Sequence, residues 1–246
     1  MTQDHLPITA EPIFVLGAPR SGTSMIQWAL RQHPDLWGGP ESDFFIPLFE
    51  GTRQAHSHGT ERGRLHWLSR LEVDEHELVS YVAAGVNALY TQQSGGKRWV
   101  EQTPQYTLHL DLMADAFPGA QFVYMLRSGR EVVRSLRHFT NPVAHGEACR
   151  IWAAFAQAGL DFAEGPRGDR MKVVRYADAV ERTPATLSDL LTALGLPSDD
   201  ACSRFITEGD RINSSFDGDK VERPWSALEE RQFKGRCGEL MERLGL

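Results

Sequence analysis

Ile13-Phe14-Val15-Leu16-Gly17-Ala18-Pro19-Arg20-Ser21-Gly22-Thr23-Ser24 is the stretch on which the reading of this chain turns. Four apolar residues run into a glycine, the pattern of a strand buried on both faces of a parallel sheet. From Thr23 to about Gln32 the residues suit a helix, with Met25, Ile26, Ala29 and Leu30 on one side, and His33-Pro34-Asp35 ends it. A strand, a glycine-containing loop and a helix in that order aim unpaired backbone N–H groups and a helix N-terminus at one point, which suits a phosphate.

Gly17 and Gly22 have the outer spacing of the GxxxxGK[ST] nucleotide loop, but the lysine position holds Thr23. A phosphoryl-transfer enzyme of that kind needs the lysine on the β- and γ-phosphates, so its loss counts against a kinase. A cation stands inside the loop instead, at Arg20, and the hydroxyls of Thr23 and Ser24 can add hydrogen bonds to a phosphate.

Outward from this loop, strands and helices alternate. Arg98–Glu101, Ala120–Leu126 and Met171–Arg175 read as strands. Asp74 to Leu89, Arg130 to Phe139, Ala148 to Phe162 and Leu187 to Leu194 read as helices, with Asp74 as a cap and Thr183-Pro184 as a cap followed by proline. Residues 51–64, rich in Gly, His, Arg and Thr, read as an exposed loop. The alternation predicts an α/β fold, three-layered and P-loop-like, with a central parallel sheet flanked by helices. The 246 residues suit a single domain, with 51–97 as a helical insertion or acceptor-side cap.

Lys and Arg total 26 against 33 Asp and Glu, a formal charge of -7, which argues against non-specific nucleic-acid binding but leaves room for local anion binding. Cys149, Cys202 and Cys237 are far apart and form no metal or disulfide framework, so no metal is expected. No apolar run is long enough to span a bilayer, and Met1–Glu11 lack a signal-peptide core; the expectation is a cytoplasmic protein. His56, His58 and His66 read as solvated surface, and His33 as part of a turn. His109 and His138 each follow a motif, but a structural role is the stronger reading for both.

A second anion grip follows the strand that ends at Leu126. Arg127 falls at the carboxyl edge of the sheet, where open α/β folds bind ligands, and Ser135 lies further along the next helix. An arginine can fork onto a phosphate through two parallel hydrogen bonds. Arg130 and Arg134 are close in sequence. Two phosphate grips on one sheet edge suggest a nucleotide carrying two separate phosphate groups.

The pairing of Arg20-Ser21-Gly22-Thr23-Ser24 with Arg127 and Ser135 resembles the sulfotransferases that use 3'-phosphoadenosine 5'-phosphosulfate (PAPS). Pro19-Arg20-Ser21-Gly22-Thr23 followed by His33-Pro34-Asp35 is most similar to the tyrosylprotein branch and its bacterial relatives. The resemblance implies PAPS as co-substrate and 3'-phosphoadenosine 5'-phosphate (PAP) as product. It puts the 5'-phosphosulfate on the first loop, the 3'-phosphate on Arg127 and Ser135, and Tyr176 against the nucleotide. It implies Glu41 as general base, with Asp43 a lesser candidate. It also implies nucleotide contacts from Ser214, Ser215 and Lys220 in a late closing segment, and a homodimer as a candidate assembly. One departure stands out: Val100-Glu101-Gln102-Thr103-Pro104 puts Gln102 where the family commonly carries a lysine that helps stabilise the transferring group. Gln102 then does a weaker version of that job, or a cation such as Arg98 substitutes; Glu101 is a candidate acceptor contact. The acceptor itself, a peptide or small-molecule hydroxyl or less readily an amine, is not written in these motifs. A nucleotide-dependent kinase and a non-catalytic nucleotide-binding module stay open as alternatives.

Overall fold

A computed structural model describes residues 8–9, 11–139, 141–209 and 223–246. Its centre is a five-stranded, wholly parallel sheet of β1 (Ile13–Gly17), β2 (Leu36–Gly38), β3 (Arg98–Glu101), β4 (Gln121–Leu126) and β5 (Met171–Arg175), in the order β2-β3-β1-β4-β5. The helices are α1 (Thr23–Leu30), α2 (Phe45–Thr60), α3 (Trp67–Leu71), α4 (Glu75–Gln93), α5 (Leu110–Ala116), α6 (Gly129–Arg137), α7 (His145–Glu164), α8 (Tyr176–Glu181), α9 (Thr183–Ala193), α10 (Asp200–Glu208) and α11 (Ala227–Arg243).

The strand period of two sorts the sheet into two dry faces. Phe14 and Leu16 of β1 join Phe122, Tyr124 and Leu126 of β4 in a core that α2, α4 and α5 cover, while Ile13, Val15, Val123 and Met125 pack with α1 and α9 on the other side. Every residue of β1 is buried, which is why the segment reads as an unbroken apolar run. β1 pairs with β4 from Ile13–Gln121 to Gly17–Met125, so the carboxyl ends of the two strands lie side by side.

Three local expectations change. Residues 51–60 are not a loop: they continue α2, because Phe45, Phe49 and Thr52 recur at helical spacing and turn one stripe into the core. That buried stripe outweighs the poor helix propensity of Gly51 and Gly59. Leu36–Gly38, within a stretch without clear pattern, adds a short edge strand. Thr183 does not cap α9; its hydroxyl donates to the Ala179 carbonyl at 2.7 Å, tying α9 to the end of α8. By contrast, Asp74 caps α4 as its sequence predicts, accepting from the Glu77 N–H at 2.8 Å.

Candidate functional site

Each of the five strands delivers one candidate group at its carboxyl end. β1 runs into the loop 17–24, β2 leads to Glu41, β3 to Gln102, β4 to Arg127 and β5 to Tyr176. The parallel sheet therefore lines these residues up along one edge, the position at which open α/β sheets take ligands.

The β1 loop is built under tight steric terms. Gly17 has φ 145° and a Cβ there would lie 2.7 Å from the Met125 carbonyl oxygen; Gly22 has φ 100° and a Cβ would lie 2.7 Å from the Tyr176 ring. Arg20 itself adopts φ 73°, uncommon for a residue with a side chain and a form of strain that clusters at functional sites. Thr107 pins the loop entry, accepting from the Gly17 N–H at 2.9 Å. Gly22 caps α1 without a side-chain hydrogen bond, so the helix opens on backbone amides, as an anion would require.

Two guanidinium groups converge here. Arg127 donates to the Arg20 carbonyl at 3.0 Å, and Arg20 Nε donates to Ser135 Oγ at 3.1 Å. The first loop and the second grip are thus one continuous patch. Burial, then the charge of Arg127, lowers the pKa of the half-buried Arg20, as expected where like charges stand close together. Arg127 is held from three sides: its guanidinium lies 3.9 Å from the centre of the Tyr176 ring, Glu131 accepts from it at 3.2 Å, and Trp152 Nε1 donates to its carbonyl at 3.1 Å. The Phe139 ring lies 4.4 Å from the Arg20 guanidinium carbon. Ser21 Oγ and Arg127 Nε are buried with no hydrogen-bond partner among the described residues. Buried polar atoms normally find partners, and an oxyanion would give Arg127 Nε an acceptor.

Glu41 and Gln102 meet at the mouth. Gln102 Nε2 lies 3.2 Å from both Glu41 Oε1 and Thr23 Oγ1, and its Oε1 accepts from Ser24 Oγ at 3.2 Å. One amide thereby spans the candidate base and the first turn of α1. Partial desolvation raises the Glu41 pKa, the Gln102 hydrogen bond lowers it, and nearby Asp43 raises it again. A raised carboxyl pKa improves a base working near neutrality.

Other expected residues fall elsewhere. Arg98 turns away from the site: it donates to the backbone oxygens of Glu11 and Leu194 and faces Glu11, so it does not replace the missing lysine. Glu101 is buried to 2% exposure, so it does not contact an acceptor. Arg130 pairs with Glu230 at 2.9 Å and lies over Trp225 and Phe233. His33 closes the turn after α1, its Nδ1 accepting from the Asp35 N–H at 3.2 Å, and His138 sits 2.8 Å from the Arg134 carbonyl at the end of α6. Ser214, Ser215 and Lys220 lie outside the described residues. Thr107, Trp152 and Phe139 support the site without any functional signal in their sequence; each belongs to an apolar or turn segment with no motif to mark it. Among the described residues, no three His, Cys, Asp or Glu side chains gather as a metal would need, and no helix is long and apolar enough to cross a membrane.

The family model described as "Sulfotransferase family" matches residues 12–200. The chain is 28% identical over 206 residues to nodulation protein NoeE of Sinorhizobium fredii, covering 74% of this chain and 49% of that protein. It is 30% identical over 126 residues to protein-tyrosine sulfotransferase 2 of Gallus gallus, covering 50% of this chain and 33% of the relative. The chain therefore spans about half or less of the length of these curated relatives. Among solved structures, the sulfotransferase domain of the Synechococcus PCC 7002 olefin synthase superposes with a TM-score of 0.63 at 19% identity, over 98% of each chain. Sulfotransferase STF9 of Mycobacterium avium does so with a TM-score of 0.60 at 13% identity, over 96% of this chain and 77% of that one. The structures share the fold, and the family match covers most of the sequence: this chain belongs to the sulfotransferase family.

Proposed function

We propose that this protein transfers a sulfonate group from PAPS to a hydroxyl acceptor, with Glu41 as the general base. The observation that carries the reading is the Gln102 amide, 3.2 Å from Glu41 and 3.2 Å from Thr23, which puts a candidate base one side chain away from an anion cradle. The donor, when bound, supplies a sulfur activated by a phosphate leaving group.

Arg127, Ser135 and Tyr176 would hold the 3'-phosphate end, and the loop Arg20 to Ser24 the 5'-phosphosulfate. The unpartnered Arg127 Nε and the crowded pair of guanidinium groups fit such a dianionic ligand. Glu41 takes the acceptor proton as the acceptor oxygen bonds to sulfur. The bond from sulfur to the bridging phosphate oxygen breaks, and its electron pair leaves with the phosphate. Arg20 and the loop amides stabilise the charge that grows there. Gln102 orients Glu41 and can donate to a sulfonate oxygen, but brings no charge. Glu41 is exposed and α2 begins four residues after it, which would suit an acceptor entering beside the helices of residues 51–97.

Calorimetry with PAP tests the donor half. Submicromolar to micromolar binding is expected, with at least a tenfold loss in Arg127→Ala; no binding, or equal binding by the variant, sinks the assignment. The acceptor half is tested by mass spectrometry of phenolic, sugar and alcohol acceptors incubated with PAPS. One added sulfonate group in the wild type, lost about 10²-fold or more in Glu41→Gln, is the expected result.

A further inference from the structure

Glu101 is buried beneath Glu41, and the transfer chemistry gives it no task. Its Oε1 sits at the centre of a chain of hydrogen bonds from the loop that carries Glu41. Ser42 Oγ donates to it at 2.8 Å, the Ser42 N–H points at it from 3.3 Å, and Thr103 Oγ1 donates at 2.6 Å. Because the Ser42 hydroxyl proton is committed to Glu101, the Tyr106 hydroxyl 2.6 Å away must donate to Ser42 Oγ, and the Phe45 N–H then donates to Tyr106 at 3.2 Å. Residues 42 and 45, on either side of Asp43 with its strained φ of 55°, are therefore tied to the end of β3 through a relay that terminates on Glu101.

Among the described residues the loop has further tethers: the Ser42 N–H also points at Thr103 Oγ1 from 3.1 Å, and Gln27 Nε2 of α1 donates to the Gly39 carbonyl at 2.8 Å. Glu41 itself is exposed, and its carboxylate is held by the Gln102 amide. A flexible carboxylate at a rim is a poor base unless its backbone is fixed, because small displacements of a reacting group carry large rate penalties.

We propose that Glu101 is the positioning residue of the candidate base: it anchors the 41–45 loop through Ser42 so that Glu41 meets the acceptor at the cradle. This rests on the reading of Glu41 as base. Glu101 touches neither donor nor acceptor; it acts through Ser42.

Two independent measurements test it. Hydrogen exchange of a peptide covering residues 40–46 reports the anchor itself without reference to chemistry. Glu101→Ala loses protection there, and Glu101→Gln, whose amide oxygen still accepts from Ser42 and Thr103, keeps most of it. Steady-state kinetics then read the consequence. Glu101→Ala lowers kcat by about 10²-fold, with PAP affinity and the KM for PAPS within twofold of wild type, and Glu101→Gln recovers at least a tenth of wild-type kcat. Unchanged protection in Glu101→Ala overturns the anchor. Loss of PAP binding in step with kcat overturns it too, since that marks a general structural role. If protection falls as expected but Glu41→Gln keeps full activity, the base reading is what failed, and with it the catalytic meaning of the anchor.

Discussion

Two loops meet at the site, and they are held in opposite ways. The loop after β1 is shaped first by its own backbone, with Thr107 and Arg127 bonding to it: Gly17 and Gly22 take positive-φ conformations that favour glycine, and neighbouring atoms leave no room for a Cβ. The loop after β2 is moulded in this way only at its root, where a Cβ on Gly38 would lie 2.9 Å from the Val100 carbonyl oxygen. Glu41, Asp43 and Phe44 are exposed, and the segment is held by side chains reaching from elsewhere: Gln27 of α1, and Glu101, Gln102, Thr103 and Tyr106 from the end of β3 and the turn beyond it. A backbone-moulded loop resists motion and suits a constant ligand. A loop held by side chains can be retuned by substitution, which suits the half of a transferase that meets a variable acceptor.

The largest way to break this contrast is at its charged centre. Arg20→Ala removes the cation that faces Ser135 and adjoins Arg127, and is expected to lower kcat/KM about 10³-fold, the scale for losing a preorganised donor to a developing oxyanion. Single-turnover rates at saturating PAPS read the loss. A drop confined to KM would assign Arg20 to ground-state binding instead.

Next in size is the ionisation of Glu101. Burial drives its carboxyl up to about 7, against lowering hydrogen bonds from Thr103 and Ser42, and Glu41 adds a like charge; Tyr90 and Tyr106 are the other titratable groups facing it. The folded protein therefore holds this proton more tightly than the unfolded chain. The stability it contributes is complete below the unfolded value near 4.5 and is lost as pH rises through about 7. Between pH 4 and pH 8 the wild type should lose about 3 kcal/mol relative to Glu101→Gln. Urea titrations of both proteins at the two pH values measure it, and parallel pH dependences would show that Glu101 ionises as an ordinary carboxyl.

The β1 loop offers a backbone test of comparable kind. Gly22→Ala forces a side chain into a positive-φ position against the Tyr176 ring, the same ring that stacks on Arg127. It should cost about 2 kcal/mol of stability and weaken PAP binding as well, because Tyr176 and Arg127 move together. Gly51→Ala, in α2 with nothing within 4 Å of a new Cβ, is the contrasting change; it should stabilise by about 0.5–1 kcal/mol. Thermal melts with and without PAP compare the two.

The same contrast explains how much of the molecule is legible in its sequence. The β1 loop can be read because its constraint is local: an apolar run, then glycines at positions where only glycine fits. Arg127 can be read because a strand ends just before it. The anchor of the base loop is non-local. Ser42 and Glu101 are far apart in sequence, and nothing in Val100-Glu101-Gln102-Thr103-Pro104 says which way Glu101 points; strand alternation alone makes it one of a pair of neighbours facing opposite ways. Residues 51–60 mislead for a related reason, since Gly51, Gly59 and the polar residues between them hide the buried stripe of Phe45, Phe49 and Thr52. Arg98 shows the limit of substitution by composition: a nearby cation is useful only if its strand position points it at the site, and this one points to Glu11 and Leu194.

The smallest expected effect on catalysis lies where the two loops touch. Gln102 is the joint: it accepts from Ser24 on the cradle side, and its amide nitrogen faces Thr23 and Glu41. Gln102→Ala removes hydrogen bonds to two hydroxyls and to the Glu41 carboxylate but no charge of its own, so kcat should fall roughly tenfold, the low end of the ~1.5–3 kcal/mol that a hydrogen bond to a charged group is worth. Gln102→Lys separates two roles that the amide combines. An ammonium there would add charge to stabilise the transferring group, but 3.2 Å from Glu41 it would also pair with the carboxylate and pull down the pKa that burial had raised. If charge on the transferring group limits the rate, Lys raises kcat at all pH values. If the basicity of Glu41 limits it, Lys lowers kcat near neutrality and moves the acid limb of the pH–rate profile to lower pH. The direction of that limb in the lysine variant, compared with Gln102→Ala, therefore tells which loop governs the transfer: the moulded one that holds the donor or the anchored one that carries the base.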